Sequence, residues 1–179
     1  MAIKEFTNFG SISHGTLLNS DLLPAFYDEA RDRFPHWETQ GREPIIAASR
    51  IMDVVAILDD YDDADAIDQI YRSNAVSDLV NDLDNLLGED LPPFVYFGTH
   101  PGDCSDFGYW FDSDSFEQSA QDGETVKVAE LPDHPKTFAF EHPDAEYVAV
   151  VSGHGNVTLY SLYGLQHWGS RRSCFWAVV

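Results

Sequence analysis

Asn74-Ala75-Val76-Ser77-Asp78-Leu79-Val80-Asn81-Asp82-Leu83-Asp84-Asn85-Leu86-Leu87-Gly88, followed beyond Pro92-Pro93 by Phe94-Val95-Tyr96-Phe97, decides the fold class. In the first piece Val76, Leu79, Val80, Leu83, Leu86 and Leu87 recur with helical spacing and form one apolar stripe. Asn74 is placed to cap that helix, and Gly88 to end it in the left-handed conformation. The second piece is a short aromatic and β-branched run behind two prolines, which reads as a strand. A switch of period at residue 92 predicts α+β: an N-terminal helical layer packed on a C-terminal antiparallel sheet. The expected organisation is a single domain over 1–179, mainly helical over 1–92 and mainly antiparallel β over 93–179.

Upstream, a short extended N-terminus leads to a helix with Asn19-Ser20-Asp21 as cap and Leu22, Phe26 and Ala30 four apart. It should stop near Phe34, before Pro35. A second helix starts at Glu43-Pro44, and its Ile45, Ile46, Ala48, Ile51, Met52, Val55 and Leu58 predict a central position. Asp59-Asp60-Tyr61-Asp62-Asp63-Ala64-Asp65 then forms a turn or the acidic start of a helix carrying Ile67, Ile70 and Tyr71.

Downstream, strands are expected at 107–111, 125–131, 137–140, 147–152, 157–163 and 173–179, with one helical turn around Phe116. Gly153-His154-Gly155-Asn156 marks a hairpin, because these residues tolerate positive φ. Tyr61, Tyr71, Trp110 and Trp168 read equally as core residues or as surface anchors.

Charge narrows the function classes. The 179 residues carry 31 Asp+Glu against 10 Lys+Arg, for a formal net charge of −21. With 44% hydrophobic and 13% aromatic residues the chain still has the means to bury a core, so the charge does not signal disorder. Such a surface repels phosphate backbones and anionic lipid, which argues against direct nucleic-acid binding and membrane attachment. The N-terminus lacks an apolar signal-peptide region, and no run approaches the roughly 20 apolar residues of a membrane span. Cys104 and Cys174 form no paired motif and read as free thiols in a reducing cytoplasm.

The charge is concentrated. Residues 53–90 hold 12 acids and one base, Arg72. Asp78 and Asp82 lie one helical turn apart, about 6 Å along the axis. Asp59, Asp60, Asp62, Asp63, Asp65 and Asp68 form a dense neighbouring cluster. A fixed row of carboxylates at that spacing suits the basic groove of a nucleic-acid-binding protein. The plainer reading is a solvated face that keeps an acidic globular protein soluble, as the proteome of a salt-adapted organism would also give. The cluster lacks the glycine and terminal glutamate of an EF-hand loop.

A second group of candidates lies in Gly98-Thr99-His100-Pro101-Gly102-Asp103-Cys104-Ser105-Asp106. His100, Asp103, Cys104 and Asp106, with His154 if folding brings it close, form an alternative site for acid–base or metal chemistry. The glycines and Pro101 also spell a tight strand connection in which the aspartates bond the backbone. Ser11-Ile12-Ser13-His14-Gly15-Thr16 has the residues of a hydrolase fragment without nucleophile-elbow spacing. There is no Walker A, GxGxxG, HExxH or zinc-ligand pattern, and no cofactor is implied.

Three blocks carry a resemblance: Ile12-Ser13-His14-Gly15-Thr16-Leu17, His100-Pro101-Gly102-Asp103 through Ser105-Asp106-Phe107-Gly108-Tyr109-Trp110, and His154-Gly155-Asn156-Val157-Thr158-Leu159-Tyr160. Together they resemble small uncharacterised acidic proteins carried on bacterial phages, plasmids and integrative elements. Glycine stands there in place of Cys104, and aspartate in place of Gly153, which weighs against a catalytic Cys104. The resemblance implies a mobile-element setting, where proteins that blunt restriction or CRISPR defence are common. The resulting expectation is a cytoplasmic, non-enzymatic accessory protein that binds a basic nucleic-acid-binding host protein, as a DNA mimic, through Asp59, Asp60, Asp62, Asp63, Asp65, Asp68, Asp78 and Asp82.

Overall fold

The structure, a computed structural model, describes residues 5–170 and 173–178; the side chain of Trp168, read above as a core residue or an anchor, lies outside the described part, as does Val179. The chain mixes helices with two sheets and is α+β. It gathers into two compact units that interleave in sequence. One holds Gly10–Asp90 and Phe97–Trp110; the other holds the segment through Phe9, Leu91–Tyr96 and Phe111–Val179. The helical unit thus takes in a pair of strands from beyond residue 92.

In the helical unit, α1 (Asn19–Arg33), the short α2 (Trp37–Gln40), α3 (Glu43–Asp60), α4 (Ala64–Tyr71) and α5 (Asn74–Leu87) accompany a sheet of order β1-β3-β2, with β1 at Gly10–Ser13, β2 at Val95–His100 and β3 at Asp103–Phe111. All six expected apolar residues of α5 are buried. They meet Leu22, Leu23, Phe26 and Ala30 of α1, which packs along α5. Phe26 then stands edge-on to Phe97 of β2 and Phe107 of β3, each with ring centroids 5.3 Å apart, and so joins helices to sheet. At β1 the backbones nearly touch: a Cβ on Gly108 would sit 2.0 Å from the Gly10 carbonyl oxygen, so only glycine fits.

Several local expectations change. Ser73, not Asn74, caps α5, its hydroxyl accepting the Val76 N–H. Gly88 has φ −77° and stays right-handed; the left-handed residue after the helix is Asp90, with φ 52°, and Arg33 reaches over from α1 to donate to the Leu87 and Glu89 carbonyls. A cation from another helix thus adds donors to carbonyls that the backbone leaves open at this end. The α1 start has no side-chain cap either, since the Asn19 amide donates instead to the Tyr71 carbonyl and Ser77. Helix α3 is not central: of its 18 residues only Ile45 and Ala48 are buried, and Val54 and Ile57 lie exposed.

The other unit is built on a sheet of order β4-β5-β6-β7, with β4 at Thr125–Val128, β5 at Tyr147–Val151, β6 at Val157–Ser161 and β7 at Cys174–Val178. The turn around Phe116 is a full helix, α6 (Ser113–Gln121), capped by Asp112. The 137–140 strand is instead helix α7 (Pro135–Glu141), because Pro135 suits the first helical turn and its missing N–H is no loss there. That helix supplies the crossover a parallel pair requires, and β4 pairs with β5 in parallel, so the sheet is mixed and not wholly antiparallel. The strand expected through Tyr163 ends at Ser161, whose hydroxyl accepts the Gly164 N–H and starts α8 (Leu162–Trp168). Val148 of β5 packs with Leu162 and Leu165 of α8 and with Phe138 and Ala139 of α7. Trp176 of β7 is wholly buried, rings of Phe9 and Phe111 meeting it edge-on. The β5–β6 hairpin turns as expected at 153–156, where Gly155 has φ +87° and Ser152 accepts the N–H groups of His154 and Asn156.

Candidate functional site

The acidic cluster is assembled by three consecutive helices that pack on one another. Asp59 and Asp60 end α3, and neither is placed there for helix stability, since the last turn carries the negative end of the helix dipole and has no basic residue. The chain then turns through Asp62, which adopts φ 59°, a conformation aspartate enters more readily than most residues. Asp63 caps α4, accepting the Ala66 N–H at 3.1 Å, and Asp65 sits favourably in the first turn of that helix. Asp68 pairs with Arg72 four residues on, Nε to Oδ1 2.8 Å. Asp78 and Asp82 project from the side of α5 opposite its buried stripe.

All eight of these aspartates are exposed. Among the described residues, Asp68 alone of the eight is ion-paired, and an exposed pair of that kind contributes little. Asp84, on the same helix, differs: it is half-buried, its Oδ1 has no hydrogen-bond partner among the described residues, and burial pushes its pKa up. The cluster is thus a set of solvated carboxylates beside one carboxylate that burial penalises.

Around the second group, strands run through most of what the sequence presents as a loop. Only Pro101-Gly102 connects β2 to β3. His100 accepts the Gly102 N–H on Nδ1 at 3.0 Å, and its ring stands edge-on to Trp110, 4.6 Å between centroids. Asp103 accepts both the hydroxyl and the N–H of Ser105, and these bonds hold its carboxyl below the usual range, with His14 and His100 adding to the effect. Both residues are therefore engaged within their own hairpin.

Asp106 points elsewhere. It is buried and accepts the Ser11 hydroxyl, while His14 Nδ1 lies 3.2 Å from its other oxygen. The Ser11–His14 segment is thereby tied to β3 across 95 positions, a pairing that spacing along the chain does not reveal. Cys104 is an exposed free thiol, and His154 belongs to the β5–β6 turn of the other unit. Cys174 is also free, with burial pushing its thiol up to about 11, which makes it a poor nucleophile at neutral pH. Among the described residues, no three His, Cys, Asp or Glu side chains converge as a metal-binding group, and no helix is long and apolar enough to cross a membrane.

Of the residues that read equally as core or as surface anchors, Tyr61 is 80% exposed. Tyr71 is partly covered, and Trp110 donates its indole N–H to the Gly98 carbonyl at 2.9 Å. Comparison with family models, with curated proteins and with solved structures gives no match for this chain.

Proposed function

We propose that the protein is a non-enzymatic accessory factor whose acidic helical face binds a basic nucleic-acid-binding protein of a bacterial host. Carboxylates on that face stand in for the phosphates of DNA, and binding blocks a defence activity such as restriction or CRISPR interference. The observation that carries this reading is the state of the eight aspartates: all are solvent-exposed, and among the described residues only Asp68 is neutralised by a cation. Two of them, Asp59 and Asp60, oppose the dipole of their own helix, so their placement costs stability and calls for a use outside the fold.

The test is capture from bacterial lysate at low and moderate salt, beside a variant with Asp59, Asp60, Asp62, Asp65, Asp78 and Asp82 changed to Asn. Basic nucleic-acid-binding proteins should be retained by the natural chain at low salt and lost with the variant or with added salt. Retention that ignores both changes would sink the reading.

A second reading, an acid–base module at the His100–Asp106 hairpin, has one contact in its favour. Asp106 fixes His14 through Nδ1 and leaves the imidazole side chain 75% exposed, as a general base would require. Hydrolysis of an activated ester such as p-nitrophenyl acetate should then fall on His14→Ala; a rate no higher than that of buffer retires it.

A further inference from the structure

We propose that the groove between α3, α4 and α5 receives an amphipathic, basic helix of the partner protein. The groove, of about 590 Å³, is lined chiefly by Ile51, Val54, Ala66, Gln69, Ile70 and Val76. Its apolar surface does not stop at the cavity. Val54, Ile57 and Tyr61 are 46%, 56% and 80% exposed, and they follow one another by three and four residues. That spacing puts them on one face of α3, running along it for about 10 Å. A surface helix normally shows one apolar stripe toward its core and a polar opposite face. Helix α3 instead keeps apolar side chains on the side that faces solvent.

Charge selects the occupant. Asp53 and Asp60 border the stripe along one side of α3, Asp62 and Asp63 follow it in the turn, and Asp65 borders the groove on α4; all are exposed. Arg50 also lines the groove, but these acids outnumber it. A second copy of this chain would bring the same acidic border and a net charge of −21 against it, and an anionic lipid surface would be repelled likewise. A helix with apolar residues at i, i+3 or i+4, and i+7, and Lys or Arg on its flanks, matches both the stripe and its border. The inference rests on the acidic-face reading for the sign of the partner's charge. It deepens that reading by assigning an apolar anchor, which electrostatic mimicry by itself does not need.

The experiment uses fluorescence anisotropy with the full chain and two labelled peptides of identical Lys and Leu composition. In one, Leu recurs at helical spacing on a single face; in the other, the same residues are shuffled around the helix. The patterned peptide should bind about tenfold more tightly, and the double variant Val54→Ser/Ile57→Ser should erase that preference. Both positions are exposed, so the variant should keep the circular dichroism of the natural chain. Equal, salt-sensitive binding of the two peptides would overturn the groove and leave the acidic face standing. A preference that survives Val54→Ser/Ile57→Ser would also overturn it. Patterned binding that ignores salt would overturn the acidic face and the basic occupant together, and no binding by either peptide would do the same.

Discussion

Helices α5 and α3 lie in the same unit and pack on each other, yet they use their apolar residues in opposite ways. Helix α5 buries Val76, Leu79, Val80, Leu83, Leu86 and Leu87 and turns Asp78 and Asp82 outward, so each apolar side chain is accounted for by the fold. Helix α3 is longer, buries two residues, and leaves Val54 and Ile57 in water. Apolar side chains left in water contribute little to folding, and a row of them on one face is the feature on which the proposed docking surface rests. The same α3 ends in two aspartates that its dipole disfavours. Both departures from ordinary helix design fall on one element, where the proposed contact lies.

The sharpest way to break this contrast is a pair of truncations. Leu83→Ala, at a wholly buried position of α5, should cost about 3 kcal/mol in urea unfolding, from lost transfer energy and the cavity left behind. Ile57→Ala on α3 should stay within about 0.5 kcal/mol. Similar costs at the two sites would mean that α3 is covered within the folded chain, and the docking proposal would go with it.

Next in size is the end of α5. Arg33→Ala removes donors from the Leu87 carbonyl and the Tyr109 hydroxyl and should cost about 2 kcal/mol. The Tyr109 phenol, which burial pushes up to about 12, would then lose its cationic neighbour and keep Glu29. Gly88→Ala in the same turn should change stability by no more than about 0.5 kcal/mol, since φ −77° suits any L residue. A loss of about 1 kcal/mol or more at Gly88, by calorimetry, would mean that this turn does not accommodate an added Cβ, which would lie 3.3 Å from the Asn85 carbonyl oxygen.

The smallest expected effect tests whether α5 also carries misplaced charge. Burial raises the Asp84 pKa, so the folded state binds its proton more readily than the unfolded chain. The resulting penalty is present at neutral pH and is relieved as pH falls through the raised value. Asp84→Asn should therefore stabilise the protein at pH 7 by about 1 kcal/mol, discounted because the side chain is only half-buried. That gain should shrink as pH falls through the carboxylate range. A pH-independent difference would show that Asp84 is solvated like Asp78 and Asp82.

How much of this was legible beforehand varies by element. The 74–88 stripe and the 153–156 turn could be read directly, because both are set by neighbours within a few residues. The 137–140 segment misleads: Thr137 and Phe138 favour strands, but Pro135 suits the first turn of a helix, and the parallel pairing of β4 and β5, which calls for a crossover there, joins segments far apart in the chain. Of the candidate residues, the exposure of the eight aspartates agrees with a charged run in water. The hairpin was harder. His100 and Asp103 bond within their own turn, as local spacing allows, while Asp106 finds Ser11 on β1, 95 positions away in the chain, and His14 just after that strand.

The amino-acid sequence by itself determined what depends on composition and short range: the α+β character, the positions of the long helices, and a dense negative charge over residues 53–90. Tertiary structure alone decided which apolar face of α3 is buried, which cation closes α5, and which histidine Asp106 holds. The physical reason is that periodicity specifies a face of an element, whereas the partner of that face is chosen by packing among segments far apart in the chain.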